Sequence, residues 1–328
     1  MTTALAPGRA VAVSAPLRAK RRRHRLTVLA FLSPWLIGML VFFVYPLLAT
    51  IYYSFTRFDL VTPAHWIGLR NYEFFFTKDP KVWQAVRNTL WLVVILVPAR
   101  MIFGLGVSMI LTTVKRGGGL FRTLFFLPAL APPVAATLAF VFMFNPATGP
   151  VNVGLKAIGI EGPLWFNDPA WAKPALVLLG LWGIGDLMII FLASLLDVPR
   201  EQYEAASLDG ANSFQRFRFV TFPNITPVLT FGAVTGVIAA LQYFTEASVA
   251  ATVASGKANV GEGIGSTLGY PDGSTLTYPQ WLFVKGFSDY ALGYASALAV
   301  LLFAVSVIFT VFLLRRAHAF TPSEESLR

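Results

Sequence analysis

The chain has 328 residues, of which 56% are hydrophobic and only 13% charged, about half the charged share usual in a soluble protein, so a soluble fold is excluded. Its 26 Lys and Arg against 16 Asp and Glu leave a net charge of +10, and in so apolar a chain that excess must sit in the few polar segments, which points to membrane orientation before nucleic acid. With no cysteine, and with His24, His65 and His318 far apart, a disulfide scaffold, a zinc finger, a thiolate nucleophile and a histidine metal site are set aside.

Residues 1–25 form a basic tail whose first part, rich in Ala, Pro and small polar types, is expected to be disordered. The cluster at 20–25 could open a signal peptide or act as a nuclear-localisation patch. The apolar run behind it is too long for a signal core and no small-residue cleavage site follows, so it reads as the inside anchor of an uncleaved first span. A crossing helix needs about 20 apolar residues. Six such runs follow in order, at 26–50, 89–114, 120–144, 174–196, 225–247 and 290–314. They are too long and continuous for barrel strands, which predicts an all-α, polytopic bundle of six transmembrane helices.

Long connections at 51–88, 145–173 and 248–289 alternate with short ones, and none can hold a soluble domain. Sixteen of the 26 basic residues fall in the tail, in the connections after spans two and four, and at 315–328; nine are spread over the long connections, and Arg100 lies within span two. Both termini are therefore expected in the cytoplasm of a multi-pass cell (plasma or inner) membrane protein. The chain divides on this reading into a tail at 1–25, the first helix and first outer segment at 26–85, a core at 86–314 and a tail at 315–328. It has no Walker-type Gly-rich loop ending in Gly-Lys-Ser or Gly-Lys-Thr, so ATP hydrolysis by this chain is not expected.

Polar groups within spans are costly and mark a pathway or an internal pair. Arg100 and Asp186 enter from the same side to about equal depth, near the midplane. They are expected either to pair, or to snorkel or face separate water-filled crevices. Gly180, Gly183 and Gly185 in span four read as close helix packing.

The connection at 197–224 reads as helix, break, helix. Pro199 suits a first turn, Glu201 and Glu204 suit the positive end of a helix, and Gly210 can take the left-handed conformation that stops it. A second helix restarts with Asn212 as N-cap and Gln215 three residues on, and is expected to end by Pro223. Phe214, Phe217, Phe219 and Phe222 need a surface to bury against. That surface could be the membrane interface, the protein's own bundle or a partner. In span five, Gln242, Tyr243, Phe244, Thr245 and Glu246 combine aromatic faces with hydrogen-bonding groups, as sugars require; an aromatic belt explains Tyr243 and Phe244 equally well.

Glu204-Ala205-Ala206, Asp209-Gly210-Ala211, Phe217 and Pro223 resemble the EAA loop of permease subunits in binding-protein-dependent ABC importers. Phe31-Leu-Ser-Pro-Trp35, Phe43-Val-Tyr-Pro46, Ile67-Gly-Leu-Arg-Asn-Tyr72, Arg87-Asn-Thr-Leu90, Phe125-Phe-Leu-Pro128 and Gly293-Tyr-Ala-Ser-Ala297 extend the resemblance to the maltose and glycerol-phosphate permease group. The departure is the Gly-rich outer segment at 251–268, with Gly269-Tyr-Pro-Asp-Gly273 in place of a short turn. The resemblance implies a type I ABC importer transmembrane fold and a sugar-import role. It also implies that the loop, Phe214 included, docks on an ATPase. The implied partners are a second homologous permease subunit, two cytoplasmic ATPase subunits that bind ATP and Mg, an extracellular or periplasmic sugar-binding protein and the lipid bilayer. No cofactor in this chain and no nucleic acid are implied. Arg100, Asp186, Gln242, Tyr243, Phe244 and Glu246 are the candidate translocation path.

A self-contained secondary transporter or channel is the alternative, with Arg100, Asp186 and Glu246 as an ion or proton relay, although no clear internal repeat supports it. A membrane-embedded enzyme stands third, because no catalytic constellation is present.

Overall fold

The computed structural model describes residues 15–257 and 264–318, with side chains described over 27–257 and 265–315. The expected disorder at the start of the tail, the tail's basic side chains and part of the unusual 251–268 segment lie outside the described residues. The chain forms two units, one ending at Tyr52 and one beginning at Tyr53.

The first unit is helical: α1 (Ala15–Met39), one wide π turn (Leu40–Val44), then α2 (Tyr45–Tyr53), whose last residue begins the second unit. The π turn sits immediately before Tyr45-Pro46. A proline has no N–H to give and its ring crowds the carbonyl four residues back. In the wide turn the Tyr45 N–H reaches back five residues to the Leu40 carbonyl, so the helix carries on through the proline.

The second unit opens with a two-strand hairpin, β1 (Thr56–Arg57) against β2 (His65–Trp66), followed by α3 (Arg70–Thr77). Its central element is α4 (Val82–Thr113). Then come α5 (Gly118–Phe126), α6 (Pro133–Met143), α7 (Pro150–Ala157), α8 (Pro169–Trp182) and α9 (Gly185–Asp197). The elbow helices α10 (Arg200–Leu208) and α11 (Ser213–Arg216) lead through a second π turn (Phe217–Thr221) into α12 (Phe222–Leu241). The unit closes with α13 (Thr245–Ala254), α14 (Tyr278–Phe283) and α15 (Leu292–His318).

Among the described residues four helices are long and apolar enough to cross a membrane, and up to six spans result if each of two bent pairs is one span. Two expected continuous spans are therefore broken. Span three bends by 99° between Leu130 and Pro133, because Pro132 and Pro133 cannot continue the short 3-10 turn that ends α5. Span four bends by 50° between Trp182 and Gly185, at Gly183. Span five also stops earlier than expected: α12 ends at Leu241, and residues 242–244 are non-helical before α13 starts.

The core sits around α4. Val107 and Leu111 meet Ile184, Met188 and Leu192 of span four, and Val93 and Val97 meet Val237, Ala240 and Leu241 of α12. The buried Ser108 hydroxyl donates within 2.7–2.8 Å to the carbonyls of Gly104 and Met188, tying α4 to α9 without an orphaned polar atom. Of the three glycines assigned to close packing, two serve it. A Cβ on Gly180 would strike Leu96, and one on Gly185 would lie 2.7 Å from the Phe125 carbonyl and the Phe126 Cα. Gly183 does not, since a Cβ there would meet nothing within 4 Å.

Residues 53–85, grouped by sequence with the first helix, belong to the second unit. Asn71 donates to the carbonyls of Ser54 and Thr56, and the buried Asp79 anchors the far end. One Asp79 carboxylate oxygen accepts from the N–H groups of Lys81 and Val82 at the start of α4; the other accepts from Trp281 Nε1 at 2.8 Å and Tyr294 Oη at 2.7 Å. The stretch from Gly269 to Gly273 does form a turn, with both glycines at positive φ, and α4 holds it: Asn88 Nδ2 donates to the carbonyls of Gly273 and Leu276.

Candidate functional site

Three separated stretches converge on one cavity of about 540 Å³. Arg100 comes from the middle of α4, Asp186 from the first turn of α9, and Gln242, Tyr243 and Phe244 from the break that ends α12; Glu246 comes from the first turn of α13. All six residues selected from sequence as the candidate path line it.

Both bent spans contribute their breaks to the same wall, through Ala131 and Pro133 on one side and Trp182 and Gly183 on the other. Irregular backbone at membrane depth is tolerated where it lines a cavity, because its freed carbonyls and N–H groups can be satisfied there. The Gly183 carbonyl illustrates this: it accepts from Arg100 Nη2 at 3.4 Å, which is the role that residue has in place of helix packing.

Arg100 Nη2 also lies 3.5 Å from Asp186 Oδ1. This is a loose, solvent-facing pair, with the Arg100 side chain 27% and the Asp186 side chain 64% exposed. The alternative of two separate crevices does not describe the geometry. Among the described residues neither the buried Arg100 Nε nor the buried Tyr243 hydroxyl has a hydrogen-bond partner. Each leaves a desolvation cost of roughly 1–3 kcal/mol unrelieved beside the cavity. Trp182, half exposed on the wall, supplies an aromatic face that sequence reading passed over, since nothing distinguished it from an interfacial tryptophan.

The elbow is the second site. Helix α10 closes in a Schellman arrangement: the Gly210 N–H donates to Ser207 O at 3.1 Å and the Ala211 N–H to Ala206 O at 2.9 Å, with Gly210 at φ +78°. Asn212 and Gln215 then form a reciprocal capping box at 2.8–2.9 Å. The spacing Glu204-Ala205-Ala206 to Asp209-Gly210-Ala211 is thus the spacing of one helix stop. The second helix does not end by Pro223. A π turn, in which the Phe222 N–H bonds the Phe217 carbonyl, again precedes the proline, and 213–241 is one unbroken helix.

Within the elbow, Phe217 is half-buried edge-on to Phe222, and the Tyr203 hydroxyl meets Thr221 Oγ1 at 2.9 Å. Asn224 Nδ2 donates to Gln202 Oε1 at 2.8 Å, locking α10 to the foot of α12. Packing on the protein's own bundle therefore accounts for Phe217 but not for Leu208, Phe214 and Phe219, which are 90%, 73% and 71% exposed. Glu204, Ala205, Asp209 and Pro223 are exposed around them.

Residues 101–319 match the family model described as binding-protein-dependent transport system inner membrane component. The chain is 37% identical to the probable ABC transporter permease protein YesP of Bacillus subtilis, over 90% of this chain and 91% of that one. It is 33% identical to the sulfoquinovosyl glycerol transport system permease protein SmoG of Agrobacterium fabrum, over 89% and 90%. Its fold is similar to that of the bacterial alginate ABC transporter crystallised with an alginate pentasaccharide-bound periplasmic protein, with a TM-score of 0.74 at 19% identity, over 92% of this chain and 97% of that one.

Proposed function

This chain belongs to the family of binding-protein-dependent transport system inner membrane components, and on that premise we propose how its cavity and its elbow divide the work of import. It is a multi-span membrane permease subunit with a type I ABC importer fold, and the reading as a self-contained secondary transporter falls away. The transported solute is a sugar or a sugar derivative, a reading supported by relatives such as SmoG and by the cavity's mix of aromatic and charged side chains. The observation that carries the path assignment is the convergence of Arg100, Asp186, Gln242, Tyr243, Phe244 and Glu246 on one cavity.

The elbow docks on one of two cytoplasmic ATPase subunits, which bind ATP and Mg, with Leu208, Phe214 and Phe219 as the buried part of that contact. A second permease subunit completes the path, and a sugar-binding protein delivers the solute from outside. The subunit sits in the plasma or inner membrane with both termini in the cytoplasm. A reporter fused after Arg316 is then expected to read cytoplasmic and one inserted near Gly159 external; the reverse pattern would refute this topology.

Variants of the pair test the path. Arg100→Gln is expected to cut uptake by roughly tenfold while the amount of inserted permease stays within about twofold, because the pair is loose and the lost interaction is with the solute, a charge-assisted hydrogen bond of about 1.5–3 kcal/mol. Adding Asp186→Asn should not restore uptake. Recovery in the double variant would show that the pair serves structure alone.

A further inference from the structure

A second cavity, of about 590 Å³, lies apart from the path, where α15 begins. Its walls are the exposed side of β1, helix α3 and the first turn of α15. Four basic side chains line it, Arg57, Arg70, Lys78 and Lys285, against one acid, Glu73. Glu73 is paired with Lys78 at 3.4 Å, and Lys285 with Asp289 at 2.8 Å. Among the described residues no carboxylate lies within ion-pair distance of Arg57 or Arg70, so two guanidinium groups face the cavity uncompensated.

Apart from Asn71, whose amide already donates to the carbonyls of Ser54 and Thr56, the remaining wall is largely apolar. Ile67 and Phe74 line it, with the Phe74 ring edge-on to Tyr294 at 5.0 Å. Depth follows from the span: Tyr294 stands in the first turn of the apolar span Leu292–Arg315. The end of an apolar crossing helix lies at the level of the lipid headgroups. A forked guanidinium fits a phosphate in two-point contact, and an apolar wall beside it fits the glycerol and acyl portion of the same molecule. An acidic protein segment would match the charge but leave the Ile67 and Phe74 wall without a partner.

We propose that this cavity seats the phosphate of an anionic phospholipid, with Arg57 and Arg70 as its direct ligands and Lys78 and Lys285 adding to the positive potential. The zwitterionic phosphatidylcholine headgroup is disfavoured, because its quaternary ammonium would sit among like charges.

The test uses the full chain purified in detergent. Thermal unfolding is followed while phosphatidylglycerol, phosphatidylcholine or inorganic phosphate is titrated in. Phosphatidylglycerol is expected to raise Tm at a concentration about tenfold lower than phosphatidylcholine, with inorganic phosphate giving no shift at matched concentration. The Arg57→Gln/Arg70→Gln variant should lose that preference yet unfold at the parent's temperature in phosphatidylcholine. Each single variant should lose part of it, which keeps the test readable if the double variant folds poorly. A preference for phosphatidylglycerol that survives in the variants, equal effects of the two lipids, or a full shift with inorganic phosphate would each overturn the assignment.

Discussion

Valine in place of Gly210 is expected to cut uptake by about tenfold or more while leaving the bundle inserted, as read by uptake per molecule of membrane-embedded permease. An added Cβ at this position would meet no atom within 4 Å, so crowding is not the cause. The cause is the backbone, since φ is +78° and an L residue there costs roughly 1–2 kcal/mol, more when β-branched. The Schellman closure through Ser207 and Ala206 holds the turn only with that φ. A valine that relaxes away from it re-aims α11, and with it Phe214. Asparagine tolerates the left-handed region, so Gly210→Asn should keep most of the uptake. Equal loss in both variants would point to something other than the turn, and normal uptake with valine would remove the elbow from coupling.

The second large effect is expected at Asp79, a residue outside every motif that singled out the two sites. Asp79→Ala should destabilise the chain by about 3–5 kcal/mol, a fall of roughly 10 °C in Tm. The carboxylate is 4% exposed and accepts four hydrogen bonds, so its removal strands the Trp281 N–H and the Tyr294 O–H in a buried site and uncaps α4. Asp79→Asn should cost less. The tyrosine hydroxyl can turn to accept from the new amide, whereas the indole N–H can only donate. A Tm within about 2 °C of the parent for the alanine variant would show that these bonds are replaced by water.

The spans were legible because their signal is composition, and composition survives a bend. For the same reason the bends were not. In span three Pro132 and Pro133 stood in view, but a run of apolar residues reads alike whether the backbone is straight or turned by 99°. In span five the stretch Gln242-Tyr-Phe244 contains no helix breaker at all, and its non-helical form is tertiary. The elbow was legible to the residue at its stop and restart, since a glycine at a helix end and an Asn-to-Gln capping box are local chemistry. Pro223 misled, because a proline reads as an end unless a π turn precedes it, and that turn has no sequence signature of its own. The path residues stood out one by one as polar groups in apolar runs. Their sharing one cavity, like the hold of Asp79 on Trp281 and Tyr294 some two hundred positions away, depends on long-range packing.

The unbroken run from Ser213 to Leu241 makes the elbow and one side of the cavity a single rod. At about 1.5 Å per residue, Gly236 on the cavity wall stands roughly 35 Å along the rod from Ser213. Each degree of tilt about the elbow end then sweeps Gly236 sideways by about 0.6 Å, a figure that follows from that length alone. A stop at Pro223 would have left a joint there, and a push on Phe214 would have been lost as bending. On the coupling proposed above, a swing of a few degrees at the elbow end would change the bore at the other by about the width of a hydroxyl group, with Pro227 left as a point where the rod can give.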